Sequence, residues 1–259
     1  MKGIINIGNS CYLNSALQLL FNSDDFCNIG ESHLHQNIKE YKSDQTNNFN
    51  PSNVKALIDS KTNIFKGSYQ QDSSEVLIYL LDLVDQPKVY DRFSIKTNIN
   101  IKCKMLSCLR ESEHIENDLM LTLPITDDLS DSYRQYKANE RLENENAYQC
   151  DHCQTKTIGR KRIDTIKWPD NLIIVLKRFD NNMRKNNNNI MIPLEWRHGY
   201  KLMGGIIHMG NFDGGHYIYY GYKNNKWFIA NDSYITIIDM NKLNEIIQQS
   251  YVLYYVKNI

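Results

Sequence analysis

The stretch Gly3-Ile4-Ile5-Asn6-Ile7-Gly8-Asn9-Ser10-Cys11-Tyr12-Leu13-Asn14-Ser15-Ala16-Leu17-Gln18 sets a cysteine at the start of a helix. Leu13, Ala16, Leu17, Leu20 and Phe21 recur at three- and four-residue spacing, which predicts a helix over 10–22. Asn9 or Ser10 would cap it, so Cys11 falls in the first turn. A thiol there lies near the positive end of the macrodipole and near unpaired backbone N–H groups. The placement favours the thiolate, the nucleophilic form, and offers donors to a tetrahedral oxyanion. A lone cysteine is more often a small buried apolar residue, so the reading depends on what else the chain supplies.

A thiol nucleophile needs a base within hydrogen-bond reach, and the base needs an acceptor that orients it. Of the seven histidines, His216 stands out by its frame, Asp213-Gly214-Gly215-His216-Tyr217-Ile218-Tyr219-Tyr220. Glycines directly before a strand allow another backbone to come close. Downstream, Lys226-Trp227-Phe228-Ile229-Ala230-Asn231-Asp232-Ser233 runs an apolar strand into polar residues that also suit a hairpin turn. Between the two ends, Gln70-Gln71-Asp72-Ser73-Ser74-Glu75 opens a second helix over 72–84, with Val76, Leu77, Leu80, Leu81 and Val84 on its apolar side and Pro87 beyond it. Taken alone, Asp72 and Glu75 form a capping box.

Elsewhere the pattern changes to strands. Phe93, Ile95, Thr97, Ile99 and Ile101 alternate with polar residues, as do Leu119, Leu121 and Leu123. Leu172-Ile173-Ile174-Val175-Leu176 reads as a buried strand. After Gly204-Gly205 come short β segments at Ile206 to Met209, Tyr217 to Tyr222, Trp227 to Ala230, Tyr234 to Ile238 and Val252 to Val256. The polar stretch from Tyr41 to Asn50 reads as loop. So does Asn186-Asn187-Asn188-Asn189 with the preceding Asn181-Asn182-Met183-Arg184-Lys185, which predicts a mobile, solvated segment. Helices first and mostly antiparallel strands afterwards make an α+β chain.

Lys+Arg and Asp+Glu are 30 each, so nothing advertises a nucleic-acid or membrane surface. The chain has no apolar run of membrane-span length and its start has no signal-peptide core, which leads us to expect an intracellular protein, in cytoplasm or nucleus, with reduced thiols. The expectation extends to a monomer with no nucleic-acid or membrane partner. The six cysteines are then to be read for nucleophiles and metal ligands before disulfides.

The segment from Gly3 to Gln18 resembles the cysteine box of the ubiquitin-specific proteases (ubiquitin carboxyl-terminal hydrolases), with Ser10 in place of the usual threonine. Gly214-Gly215-His216-Tyr217 resembles their histidine box, and Gln70 to Glu75 their Gln-Gln-Asp-x-x-Glu segment. Trp168 to Phe179, ending Leu176-Lys177-Arg178-Phe179, and Tyr251 to Val256 are similar to two of their structural strands. The resemblance implies a papain-like fold with a thumb (about 1–86), fingers (within about 87–170) and a palm (about 171–259). It implies Cys11 as nucleophile, His216 as base, Asn231 as third member with Asp232 in support, and Asn6 as an oxyanion donor. Asp72, Glu75, Gly215 and Tyr217 would meet the substrate tail. Ubiquitin and ubiquitinated proteins would be the partners; a protease for another ubiquitin-like modifier and a non-cleaving ubiquitin-binding module are the alternatives. The stretch between Cys11 and His216 is short for the family, so trimmed loops or reduced fingers are expected, and the little sequence before the cysteine box leads us to expect no N-terminal targeting domain.

Cys103, Cys108, Cys150 and Cys153 sit where that family carries zinc knuckles. Four thiolates make a closed, structural site. The second pair has the usual two-residue spacer; the first, with four residues between its cysteines, departs from the family's habit. The resemblance implies a structural zinc there, with none needed for catalysis.

Overall fold

The structure is a computed structural model that describes residues 1–29, 33–43, 47–180, 182–211 and 214–258. Helices come first: α1 (Cys11–Asn22), α2 (Asp24–Cys27), α3 (His35–Ser43), α4 (Ser52–Lys61), α5 (Ser73–Asp82) and α6 (Gln86–Phe93). Then come β1 (Ile95–Cys103), β2 (Glu111–Asp118), β3 (Leu121–Leu123) and α7 (Leu129–Tyr136). The chain continues through β4 (Glu140–Leu142), β5 (Tyr148–Cys150), β6 (Thr155–Thr157), β7 (Gly159–Lys167), β8 (Asn171–Leu176) and β9 (Glu195–Trp196). The last elements are β10 (Tyr200–Asn211), β11 (Gly214–Lys223), β12 (Lys226–Asn231), β13 (Tyr234–Ile238), α8 (Met240–Ile247) and β14 (Ser250–Lys257). The α+β order expected from the sequence is observed.

The largest sheet has the order β13-β12-β11-β10-β14-β8-β3, with β9 pairing β10. Its pairs are antiparallel except β3 with β8, which run parallel. A second sheet, β2-β1-β7-β4, and the β5–β6 hairpin lie outside it. Helix α1 packs on β11, and every α1 residue from Cys11 to Phe21 is buried. It is therefore a core helix rather than one with a single apolar face. Several of its polar side chains find partners in neighbouring elements, as burial demands. Ser15 Oγ shares a hydrogen bond with Ser73 Oγ at 3.0 Å, and Gln18 Nε2 donates to the Lys2 carbonyl at 2.7 Å.

Several expectations are corrected. The alternation beginning at Phe93 does not start a strand there: Phe93 closes α6 and β1 begins at Ile95. Gly204 and Gly205 lie inside β10 instead of before it. A Cβ on Gly205 would collide with Tyr220 Oη and the Val252 carbonyl, so large aromatic side chains on the neighbouring strand, not a turn, account for glycine there. The stretch from Tyr41 to Asn50 is not all loop, since α3 runs to Ser43 and the buried Phe49 bridges to Ile4.

The asparagine run is not merely solvated. Arg178, almost wholly buried, donates to the carbonyls of Asn186 and Asn188 at 3.0 Å each, of Gln248 at 2.8 Å and of Ser250 at 2.7 Å. Main-chain carbonyls thus satisfy a guanidinium that burial would otherwise make costly. Lys185 Nζ likewise holds the carbonyls of His208 at 2.7 Å and Gly210 at 3.0 Å. The signal was hidden because the run holds Arg178 through its backbone carbonyls, which any residue type supplies. Residues 44–46, Asn181 and Asp213 lie outside the described residues.

Candidate active site

His216 stands near the start of β11 and Asn231 at the end of the neighbouring β12. The ladder pairs Tyr219 with Ala230, so Asn231 comes onto the same face as His216, one step diagonally along. His216 Nε2 and Asn231 Oδ1 are 2.7 Å apart. With Oδ1 as acceptor, Nε2 carries the proton and Nδ1 keeps the lone pair that a base needs.

Cys11 opens α1 and is 3% exposed. Its sulfur is set against the main chain of Tyr217, the residue after His216. Burial pushes the thiol above its ordinary range; the main-chain N–H of Tyr217 and those of Tyr12 and Cys11 pull the other way, while the Asp232 carboxylate adds to the rise. The helix start does not by itself yield a thiolate, contrary to the sequence expectation, because desolvation of sulfur outweighs the nearby N–H dipoles. Among the described residues no hydrogen bond joins Cys11 Sγ to His216. A thiol held in its neutral form must hand over its proton when it attacks, and the bond to its base often tightens only when substrate arrives.

The expected cap on α1 is absent: neither Asn9 nor Ser10 bonds the first-turn N–H groups through its side chain. Asn9 Nδ2 donates to the Ser68 carbonyl at 2.8 Å, and Ser10 Oγ accepts from the Ile7 N–H at 2.9 Å. The helix start therefore keeps N–H donors that a capping oxygen would have taken. Asn6 lies beside it. Its Oδ1 accepts from the N–H of Gly8 at 3.0 Å and of Ser10 at 3.3 Å, and its Nδ2 donates to Asp232 Oδ2 at 2.9 Å. An amide carries two N–H bonds, so one remains for an oxyanion.

Asp232 is thus not a partner of His216. Its other carboxylate oxygen accepts from Asn14 Nδ2 at 2.7 Å. The residue holds a left-handed φ of 49°, and its carbonyl accepts from the Ile4 N–H at 2.8 Å. The sequence left the shares of Asn231 and Asp232 open; the geometry sends Asn231 to the imidazole and Asp232 to the helix-start side.

Two further residues escaped sequence reasoning. Gln70 clamps the main chain beside the histidine: its Nε2 donates to the Gly215 carbonyl and its Oε1 accepts from the Gly215 N–H, both at 2.8 Å. Gly215 has no room for a Cβ, which would strike His208 Nε2 and the Met209 carbonyl. His208, 6% exposed, is the other. It lies opposite Tyr217 in the β10–β11 ladder with ring centroids 4.6 Å apart, and burial foremost lowers its pKa to about 4, so it is neutral at pH 7. Gln70 stood at the head of the Gln70 to Glu75 segment with no role read for it, and nothing local pointed to His208.

A cleft of about 380 Å³ opens beside these groups, lined by Gln70, Asp72, Glu75, His208, Tyr217 and Tyr251 among others. Asp72 caps α5, accepting from the N–H of Ser74 at 2.7 Å and of Glu75 at 3.2 Å. Its second oxygen accepts from Tyr251 Oη at 2.7 Å and Tyr217 Oη at 3.5 Å. The carboxylate is thus largely used inside the protein. The reciprocal half of the capping box is missing, and among the described residues the exposed Glu75 carboxylate accepts no hydrogen bond. Partial desolvation and the Asp72 charge raise its pKa. Glu75 is the acceptor in this cleft open to a cation. A larger cavity of about 670 Å³, by Trp227, Ile238 and Met240, contains none of these groups.

Far from this cleft, Cys103, Cys108, Cys150 and Cys153 bring their sulfurs within 4.8 Å of one another. Cys103 and Cys153 sulfurs are 4.0 Å apart, those of Cys108 and Cys150 3.8 Å. A tetrahedron of thiolates about 2.3 Å from a zinc ion has edges near 3.8 Å. The four residues fit a metal of that kind, and the longer spacer in the first pair is taken up by the turn after β1.

The sequence model described as ubiquitin carboxyl-terminal hydrolase matches residues 2–255. Ubiquitin carboxyl-terminal hydrolase 16 of Arabidopsis thaliana is 28% identical over 313 residues, covering 98% of this chain and 30% of the relative. Ubiquitin C-terminal hydrolase 15 of Oryza sativa subsp. japonica is 26% identical, covering 99% and 32%. This chain therefore spans about a third of these curated relatives' length. Among solved structures, the Ubp8/Sgf11/Sus1/Sgf73 SAGA DUB module bound to monoubiquitin matches with a TM-score of 0.82 at 22% identity, covering 100% of this chain and 69% of that one. The same module bound to ubiquitin aldehyde gives 0.79 at 21%, covering 100% and 70%. At these identities the structural likeness is one of fold.

Proposed function

The chain belongs to the ubiquitin carboxyl-terminal hydrolase family, and from that premise we propose that it is a deubiquitinating cysteine protease that hydrolyses the bond after the C-terminal glycine of ubiquitin. The observation that carries the proposal is the His216–Asn231 pair at 2.7 Å on the strand against which the Cys11 sulfur rests. His216 Nδ1 takes the thiol proton as sulfur attacks the carbonyl carbon. The oxyanion is met by the Cys11 N–H and the second Asn6 amide hydrogen. Collapse expels the amine, which takes the proton back from the imidazolium, and leaves a thioester. His216 then deprotonates a water that releases the acid. Asn231 holds the ring in the productive tautomer without offsetting its charge.

Substrate enters along the cleft at Gln70, Tyr217 and Glu75. Ubiquitin's tail carries arginine just before its Gly-Gly end, and an arginine to carboxylate hydrogen bond contributes roughly 1.5–3 kcal/mol. We expect a ubiquitin C-terminal fluorogenic amide to be hydrolysed, and Glu75→Gln to raise its KM about tenfold while leaving kcat and melting unchanged. The same assay run on amides of other ubiquitin-like modifiers separates the rival reading: faster cleavage of one of those, with no Glu75→Gln effect on ubiquitin, would replace ubiquitin as the substrate. Tight binding of ubiquitin without turnover would instead leave a binding module.

The cysteine quartet holds zinc as a fold-stabilising ion, where Cys103, Cys108, Cys150 and Cys153 would each give one thiolate. Purified protein is expected to contain about one zinc per chain, and its removal by chelator to lower the melting temperature while Cys11 still reacts with alkylating agents. Metal-free protein with unaltered melting would remove zinc from the account. The six cysteines are all free, consistent with work in a reducing compartment such as cytoplasm or nucleus.

A further inference from the structure

We infer that Asn14 is a positioning residue of the oxyanion side, holding the Asp232 carboxylate that in turn aims Asn6; the inference rests on the proposed protease reading. Asn14 lies one turn after Cys11 on α1, on the same side of the helix. It is 2% exposed. Its Nδ2 donates to Asp232 Oδ1 at 2.7 Å, and less closely to the carbonyls of Ile5 at 3.3 Å and Ile4 at 3.5 Å. All three neighbours are acceptors, so the amide nitrogen must face them. The opposite Asp232 oxygen receives Asn6 Nδ2 at 2.9 Å. One carboxylate thus bridges two asparagine amides, one buried in the helix and one beside the nucleophile.

The arrangement is not what packing alone would select. Asn14 Oδ1 is buried with no hydrogen-bond partner. An unpaired buried carbonyl is a cost that an apolar residue of similar size would avoid. The amide end is what justifies asparagine here. Asp232 also needs a second anchor: it sits half-buried in the turn between β12 and β13 at a left-handed φ of 49°. A carboxylate bonded only to the exposed Asn6 would share that residue's freedom. Tied to α1 through Asn14, it fixes Asn6 relative to Cys11, because Cys11 and Asn14 ride on the same rigid helix. Misplacing a polar group at a reacting centre by about an ångström is worth up to roughly 100-fold in rate.

The test separates acyl transfer from thiol reactivity. Alkylation of Cys11 by iodoacetamide forms no oxyanion, whereas amide hydrolysis does. Asn14→Ala is expected to lower kcat for a ubiquitin C-terminal amide about 10- to 100-fold, with KM and the Cys11 alkylation rate within about twofold of wild type. Asn14→Asp, which keeps the volume but presents no amide hydrogen and faces Asp232 with a like charge, gives the same split if the alanine variant does not fold. The Asn14→Ala, Asp232→Ala double variant is expected to lose no more than Asp232→Ala alone, as residues acting through one another do. Unchanged kcat, multiplicative losses, or a fall in alkylation matching the fall in kcat would overturn the inference. A wild-type chain that is alkylated at Cys11 but inert toward the ubiquitin amide would overturn the protease reading itself, and the inference with it.

Discussion

Replacing Cys11 by alanine is expected to reduce hydrolysis of a ubiquitin C-terminal amide by a factor on the order of 10⁶, the scale on which loss of a nucleophile is felt. Nothing nearby substitutes for it. Cys27, the other cysteine in the helical part, is buried with its sulfur turned to the carbonyls of Leu20 and Phe21, and the remaining four cluster far off. Folding should survive, because only one small atom is removed from a site 3% exposed. Ubiquitin binding should survive as well, since Glu75 and the cleft are untouched. The check is a pair of measurements, steady-state hydrolysis and binding of the intact variant, together with peptide mapping after reaction with a ubiquitin-vinyl probe. Adduct on Cys27 or in the 103–153 cluster, with Cys11 unmodified, would sink the assignment.

His216→Ala is expected to cost roughly 10²–10⁴-fold in kcat/KM, the usual worth of a general base. The loss should be plain because burial raises the thiol above its ordinary range and, among the described residues, no other side chain is bonded to it that could take its proton. His208 cannot stand in: its ring is buried against Tyr217 and Phe179. Iodoacetamide should alkylate Cys11 more slowly in this variant, in contrast to the unaltered alkylation expected for Asn14→Ala. Asn231→Ala should cost less than His216→Ala, since it loosens the ring without removing the lone pair. Should His216→Ala retain the wild-type rate, His216 is not the base; should Asn231→Ala retain it, Asn231 does not orient the ring.

Local reading went furthest where chemistry is local. Cys11 at a helix start and Asn231 at a strand end each follow from a run of neighbouring residues, and the structure places both so; Gly214 and Gly215, expected before the strand of His216, lie inside β11. Helices α2, α3, α4, α6, α7 and α8 were not read from the sequence, each being no more than 10 residues long. Their stability comes from what they pack against rather than from a repeating apolar pattern.

The sequence by itself determined the α+β order, the candidates for nucleophile and base, and four cysteines able to converge. Tertiary structure alone decided how the site is wired. Asn6 meets Asp232 across 226 residues of chain, Asn14 meets the same carboxylate across 218, and Gln70 grips Gly215 across 145. Tyr251 reaches back 179 residues to occupy Asp72, which leaves Glu75 as the open carboxylate. The direction of the Cys11 pKa likewise awaited the fold, because a helix start lowers it and burial raises it. Periodicity and spacing specify which residues share an element's face; they carry no information on which faces meet, and both hydrogen-bond pairing and desolvation depend on that meeting.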